Sequence, residues 1–328
     1  MGDPFVGIAG NPHAKAVLAH EVDTGRLSHA YLFTGEAMVG KTTVARALAR
    51  ALLPQAPLAR HPDYWEDDRP DALKIDEIRL LPERPPEHHA QSLQAFLAMK
   101  PALGAYRVAV ISNVGRLADP TQGILLKTLE EPQPGRVIVL TTPGLSPFVV
   151  LPTVVSRCQR VSFHAVPDRE IEELLTRIGT DPERARTLAQ LSRGRPGWAM
   201  RALEDPDIVE RYHQWAARLD EIVGAPPDVA LRLAAELDQA ASGARRARRQ
   251  LSQAQEVQEE NVDDPLELAL TSWQLHLRRL MADEPVPARQ ARWARLLEAT
   301  FDTLGYLEQN VSARLALECF LLDVSRAA

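Results

Sequence analysis

The chain has 328 residues, 45% of them hydrophobic and 25% charged, a balance ordinary for a soluble globular protein and sufficient for two or three domains. A net charge of −6 argues against a surface that coats nucleic acid generally, so any DNA contact is expected to be local or made through partners. Cys158 and Cys319 provide neither a disulfide framework nor a zinc cluster, no apolar run could span a bilayer, and the first residues lack a signal-peptide core; an intracellular, cytoplasmic protein without membrane contact is expected.

In chain order, residues 6–163 alternate helices with short apolar strands, as in an open α/β sheet. The clearest strands are 30–33, 107–111 and 136–141, whose unalternating apolar character predicts burial on both faces. Between the first and second of these, residues 56–70 and 82–86 are rich in proline and charge and read as loops. After Phe163 the strand signal disappears. Residues 167–203 read as a small helical group with Gly194-Arg195-Pro196-Gly197 as its turn, and 209–223, 228–237, 266–281 and 288–308 are all helical. Arg245-Arg246-Ala247-Arg248-Arg249, followed by Glu256, Glu259, Glu260, Asp263 and Asp264, reads as a solvated helix face or linker.

The chemistry starts after the first strand. Gly35-Glu36-Ala37-Met38-Val39-Gly40-Lys41-Thr42 is a complete phosphate-loop motif. Its glycines let backbone N–H groups fold around phosphate oxygens, Lys41 reaches the outer phosphates, Thr42 can ligate Mg²⁺, and the following helix aims its N-terminus at the anion. Thr43 and Thr142 complete the candidate nucleotide contacts, and the nucleotide expected is ATP or ADP. Hydrolysis by such a loop requires carboxylates at the end of a neighbouring strand. After Arg107-Val108-Ala109-Val110-Ile111 those places are held by Ser112 and Asn113, so Mg²⁺ is expected to bind weakly and ATP turnover to be absent. Asp119 is expected to cap the helix that begins near Thr121.

Leu27-Ser28-His29-Ala30-Tyr31-Leu32-Phe33, Leu125-Leu126-Lys127-Thr128-Leu129-Glu130-Glu131-Pro132 and Ser156-Arg157-Cys158 together resemble the clamp-loader branch of the AAA+ ATPases. His61-Pro62-Asp63-Tyr64 and the segment from Asn310 to Glu318 are similar to bacterial DNA polymerase III clamp-loader subunits, and Ser112-Asn113 points within them to the delta prime kind. The resemblance implies a RecA-like AAA+ P-loop module with a parallel sheet (1–163), a small helical lid (164–205) and an all-α collar (206–328) that assembles with motor and delta subunits. It also implies that the sliding clamp and primer-template DNA are met mainly through the complex. Arg157 would then be an arginine finger acting in trans on ATP held by a neighbouring motor subunit; the plainer reading pairs it with Glu130 or Glu131. Thr141 or Thr142 resembles the sensor-1 position, although capping of the strand end reads equally well; Arg193 or Arg195 is a weaker sensor-2 candidate, for which a solvent-facing arginine is the plainer reading. Residues 53–60 lack the four cysteines that many relatives use for zinc, so neither zinc nor any other protein-held metal is expected; Cys158 reads as a buried strand-end residue. The alternatives to a non-hydrolysing subunit are an active AAA+ ATPase of the same fold and another P-loop enzyme.

Overall fold

The structure, a computed structural model, describes residues 2–69, 73–79, 81, 83, 85–146, 149–253, 265–308 and 312–327; the side chains of 119, 244, 245, 247–253, 267, 307 and 308 lie outside the description. The chain folds as two compact units, Met1–Met200 and Arg201–Ala328.

The first unit is built on five parallel strands in the order β2-β3-β4-β1-β5, with β1 Ala30–Thr34, β2 Tyr64–Asp67, β3 Arg107–Ile111, β4 Arg136–Thr142 and β5 Gln159–Ser162. Every residue of β1, β3 and β4 is buried, as the apolar runs predict, because helices cover both faces. Strand alternation divides the core in two. Tyr31, Phe33, Val108, Val110 and Val139 pack on one face with α1 (Pro12–Thr24) and α2 (Lys41–Leu52). On the other, Leu32, Ile111 and Leu140 meet α3 (Ile75–Ile78), α4 (Leu93–Ala98), α5 (Asp119–Glu130) and α6 (Pro152–Val155). The edge strands β2 and β5 are only half covered.

Three further helices follow, α7 (Asp168–Arg177), α8 (Pro182–Leu191) and α9 (Pro196–Ala202), the last crossing the boundary between the units. The second unit is helical throughout its described residues: α10 (Ile208–Ile222), α11 (Pro227–Gln253), α12 (Pro265–Asp283), α13 (Pro287–Glu308) and α14 (Ala313–Ser325). Its core centres on fully buried Trp273, whose indole N–H donates to the Trp215 carbonyl at 2.8 Å and whose ring stacks on Phe320 at 5.5 Å. The basic stretch 245–249 continues α11 along the backbone, and the acidic stretch 256–264 lies outside the described residues.

Two sequence expectations need correction at element boundaries. The helix expected near Thr121 starts at Asp119, with Ala118 in the capping position, because Pro120 fits the first turn where its missing N–H costs nothing; the Asp119 side chain itself lies outside the description. The helix expected over 228–237 extends to Gln253. No described helix is long and apolar enough to cross a membrane.

Candidate functional site

The phosphate loop sits where β1, buried between β4 and β5, hands the chain to α2, at the carboxyl edge of the sheet where open α/β folds bind ligands. Gly35 has φ +142°, and a Cβ there would stand 2.2 Å from the Phe163 carbonyl oxygen, so only glycine fits. The Phe163 N–H donates to the Thr34 carbonyl at 2.7 Å, fixing that approach. Gly40, at φ +99°, caps α2, and Met38, at φ +64°, accepts a 2.9 Å bond from the Gly197 N–H at the start of α9.

Lys41 is 7% exposed and donates to the carbonyls of Gly35 at 2.6 Å and Glu36 at 2.5 Å. An ammonium has three donors, of which two are spent fixing the loop. Burial pushes the Lys41 ammonium down to about 8, with the Glu36 charge opposing. A phosphate anion would offset that cost by Coulombic attraction, so the donor set fits a phosphate. Thr43, on the next position of α2, is exposed.

The neighbouring strand end has a different chemistry. Thr42 Oγ1 lies 3.1 Å from Ser112 Oγ, so two neutral hydroxyls pair where a magnesium site would place a carboxylate. Asn113 adopts φ +52°, and its N–H donates to Thr141 Oγ1 at 2.9 Å; Thr142 Oγ1 donates to the Gly144 carbonyl at 2.7 Å. Both threonines therefore close the ends of β3 and β4. Between α8 and α9, Arg193 has φ +52°, and Arg195 Nε donates to the Ser192 carbonyl at 3.0 Å.

Carboxylates do occur one strand farther out, at the end of β2, and sequence reasoning did not find them. Arg46 of α2 is ion-paired to Glu66 at 2.7 Å and also to Asp68. Asp67 is buried against Arg116 at 2.6 Å and against Arg69. Behind them Glu77, also fully buried, accepts from the His88 N–H at 2.9 Å and meets His89 Nδ1 at 2.6 Å, while His89 Nε2 faces the Glu66 carbonyl at 2.9 Å. Burial raises the cost of the Glu77 charge, and the hydrogen bonds from His89 and His88 outweigh it, holding that carboxyl below the usual range. Asp63, of the His-Pro-Asp segment, is equally buried; it accepts from the N–H groups of Ala102 at 2.7 Å and Leu103 at 2.8 Å and pairs with Arg107 at 3.2 Å. Each of these acids is engaged in structure.

Arg157 lies just after α6. Its guanidinium pairs with Glu130 at 2.5 Å and donates to the Thr153 carbonyl at 2.9 Å. That is the local pairing weighed from the sequence. Neighbouring Cys158 is half-buried, and burial pushes its thiol up to about 12, far from nucleophilic. Among the described residues no cluster of His, Cys, Asp and Glu could hold a metal ion.

Residues 10–167 match a family described as DNA polymerase III, delta subunit. The chain is similar to the gamma/tau subunit of DNA polymerase III from Mycobacterium tuberculosis, 32% identical over 192 residues, covering 53% of this chain and 31% of that protein. To the delta' subunit from Bacillus subtilis it is 28% identical over 196 residues, covering 55% of this chain and 56% of the relative. The match thus spans about a third of the gamma/tau relatives and about half of the delta' relative. Among solved structures, a gamma-subunit-related protein from Thermotoga maritima aligns with TM-score 0.47 and 20% identity, over 95% of this chain and 99% of that one.

Proposed function

We propose, from the match of residues 10–167 to the DNA polymerase III delta subunit family and the similarity to gamma/tau and delta' subunits, that the chain is a delta prime-like subunit of a bacterial replicative clamp loader, holding nucleotide at its phosphate loop without hydrolysing it. The observation that carries this reading is the Thr42–Ser112 hydroxyl pair at 3.1 Å beside an otherwise intact phosphate cradle. Gly35, Gly40, Lys41 and Thr42 would hold the phosphates of ATP or ADP, with exposed Thr43 and the strand-end Thr142 at the periphery. Magnesium would be held weakly, since a hydroxyl pair is a poor substitute for carboxylate around a hard dication. An active ATPase would need a carboxylate beside Thr42, and Glu66, Asp67 and Asp68 are all paired with arginines.

In this reading the chain comprises an AAA+ module (1–163), a lid (164–205) and a helical collar (206–328) through which it joins motor and delta subunits in the cytoplasm. The sliding clamp and primer-template DNA are reached through that complex, and Arg157 is offered to ATP bound by a neighbouring motor subunit. A guanidinium suits the task because it is always charged and bonds two oxygens at once.

The test has two arms. The purified chain should bind a non-hydrolysable ATP analogue in calorimetry, with Lys41→Ala weakening it by about 10- to 100-fold, the range for a charged hydrogen bond. It should also show negligible ATP turnover; turnover at the rate of active AAA+ motors, lost in Lys41→Ala, would overturn the assignment. In a reconstituted loader Arg157→Ala should lower ATP turnover without preventing assembly.

A further inference from the structure

We propose that Glu130 is a positioning residue for Arg157: it holds the guanidinium in a cis ion pair in the free chain and surrenders it to the phosphates of a neighbouring subunit's nucleotide on assembly. The inference rests on the finger reading above and adds a residue to it.

The geometry that carries it lies at the end of α5. Glu130 is the last residue of that helix and Glu131 its cap, so two carboxylates crowd the terminus where the helix dipole is already negative. A cation belongs there. Arg157 supplies it, with Nη2 2.5 Å from Glu130 Oε1 and Nη1 2.9 Å from the Thr153 carbonyl. The terminus is itself fixed, since His29 Nε2 donates to the Leu129 carbonyl at 3.1 Å, just before β1. Arg157 is thus docked on a helix end that is itself hydrogen-bonded to His29.

Exposure sets the strength of the hold. The Arg157 side chain is 33% exposed and that of Glu130 47%, so water and salt screen the pair and it contributes little net stability. A phosphate oxyanion offers the same guanidinium a stronger, bidentate partner. The cis pair therefore holds the finger weakly in the free chain and yields when phosphate arrives. It keeps Arg157 off adventitious anions before assembly.

The experiment uses the full chain in a reconstituted loader, with Glu130→Gln, Glu130→Asp, Arg157→Ala and the double variant Glu130→Gln/Arg157→Ala. Glu130→Gln should raise loader ATP turnover by up to about fivefold, the range of an exposed ion pair. The gain should vanish in the Arg157→Ala background, and Glu130→Asp should keep the parent rate. In the free chain, side-chain ¹⁵N NMR should show slowed rotation of the Arg157 guanidinium that is lost in Glu130→Gln. If Arg157→Ala lowers turnover while Glu130→Gln leaves both turnover and guanidinium rotation at parent values, the positioning role is overturned and the finger survives. If Arg157→Ala changes nothing, the finger reading falls and the positioning role with it.

Discussion

The ends of β2 and β3 are neighbours in one sheet, joined by the register Asp67↔Ile111, yet their chemistry is opposite. At β2 stand Glu66, Asp67 and Asp68, three acids, each tied to an arginine; at β3 stand Ser112 and Asn113, with Ser112 in contact with the phosphate loop. Charge is abundant within one strand of the nucleotide cradle and committed elsewhere. Counting acidic residues near a phosphate loop therefore says little, whereas their strand and their partners distinguish the two ends.

Removing the β2 acid tests whether its role is structural. Asp67→Ala would leave Arg116 buried without its carboxylate, an arrangement that costs about 3–5 kcal/mol, and urea unfolding should show a loss of that size. A loss under about 1 kcal/mol would mean that Asp67 behaves like an exposed pair and is available for other work.

Moving an acid to β3 tests the other half. In Ser112→Asp a carboxylate would stand where a hydroxyl now sits 3.1 Å from Thr42 Oγ1. Mg²⁺ should then strengthen binding of a non-hydrolysable ATP analogue by about tenfold, near 1.4 kcal/mol, against little change in the parent. Equal magnesium dependence in the parent would erase the contrast between the two strand ends.

A further effect comes from Lys41. Its ammonium titrates near 8 in the folded chain, against 10.5 for an ordinary lysine. Between those values the unfolded chain binds more protons than the folded one, so stability rises with pH across the window. Lys41→Met should lose that rise in urea titrations repeated from pH 8 to pH 10.5; an unchanged slope would assign it to another group.

β1, β3 and β4 were legible in the sequence because their residues are buried on both faces and write continuous apolar runs, and the phosphate loop because its Gly, Lys and Thr spacing is itself a motif. The edge strands were not. Tyr64-Trp65-Glu66-Asp67 and Gln159-Arg160-Val161-Ser162 alternate exposure and carry polar residues that imitate loop. The acidic cluster was invisible for another reason: Asp67 finds Arg116 49 positions away, and pairing at that separation leaves no local period to read. Arg107 and Arg136 had marked only strand starts, yet both are buried and give guanidinium bonds to carbonyls around the end of α4, Arg107 to Phe96 at 2.8 Å and Arg136 to Leu97 at 2.8 Å. The ion pair at Arg157 was readable as one of two options, since Glu130 and Ser156-Arg157-Cys158 were both prominent motifs.

Gly35 meets the Phe163 carbonyl with no side chain between them, and Met38 is bonded through its own carbonyl to Gly197. The loop is therefore gripped twice, backbone to backbone, by the segments that open and close the run of α7 and α8. Rotamer changes cannot cushion such a joint. A shift of the loop by a fraction of an ångström has to be shared with residues 163 and 197, so the loop is coupled to the segments flanking these two helices through a residue whose only qualification is having no side chain.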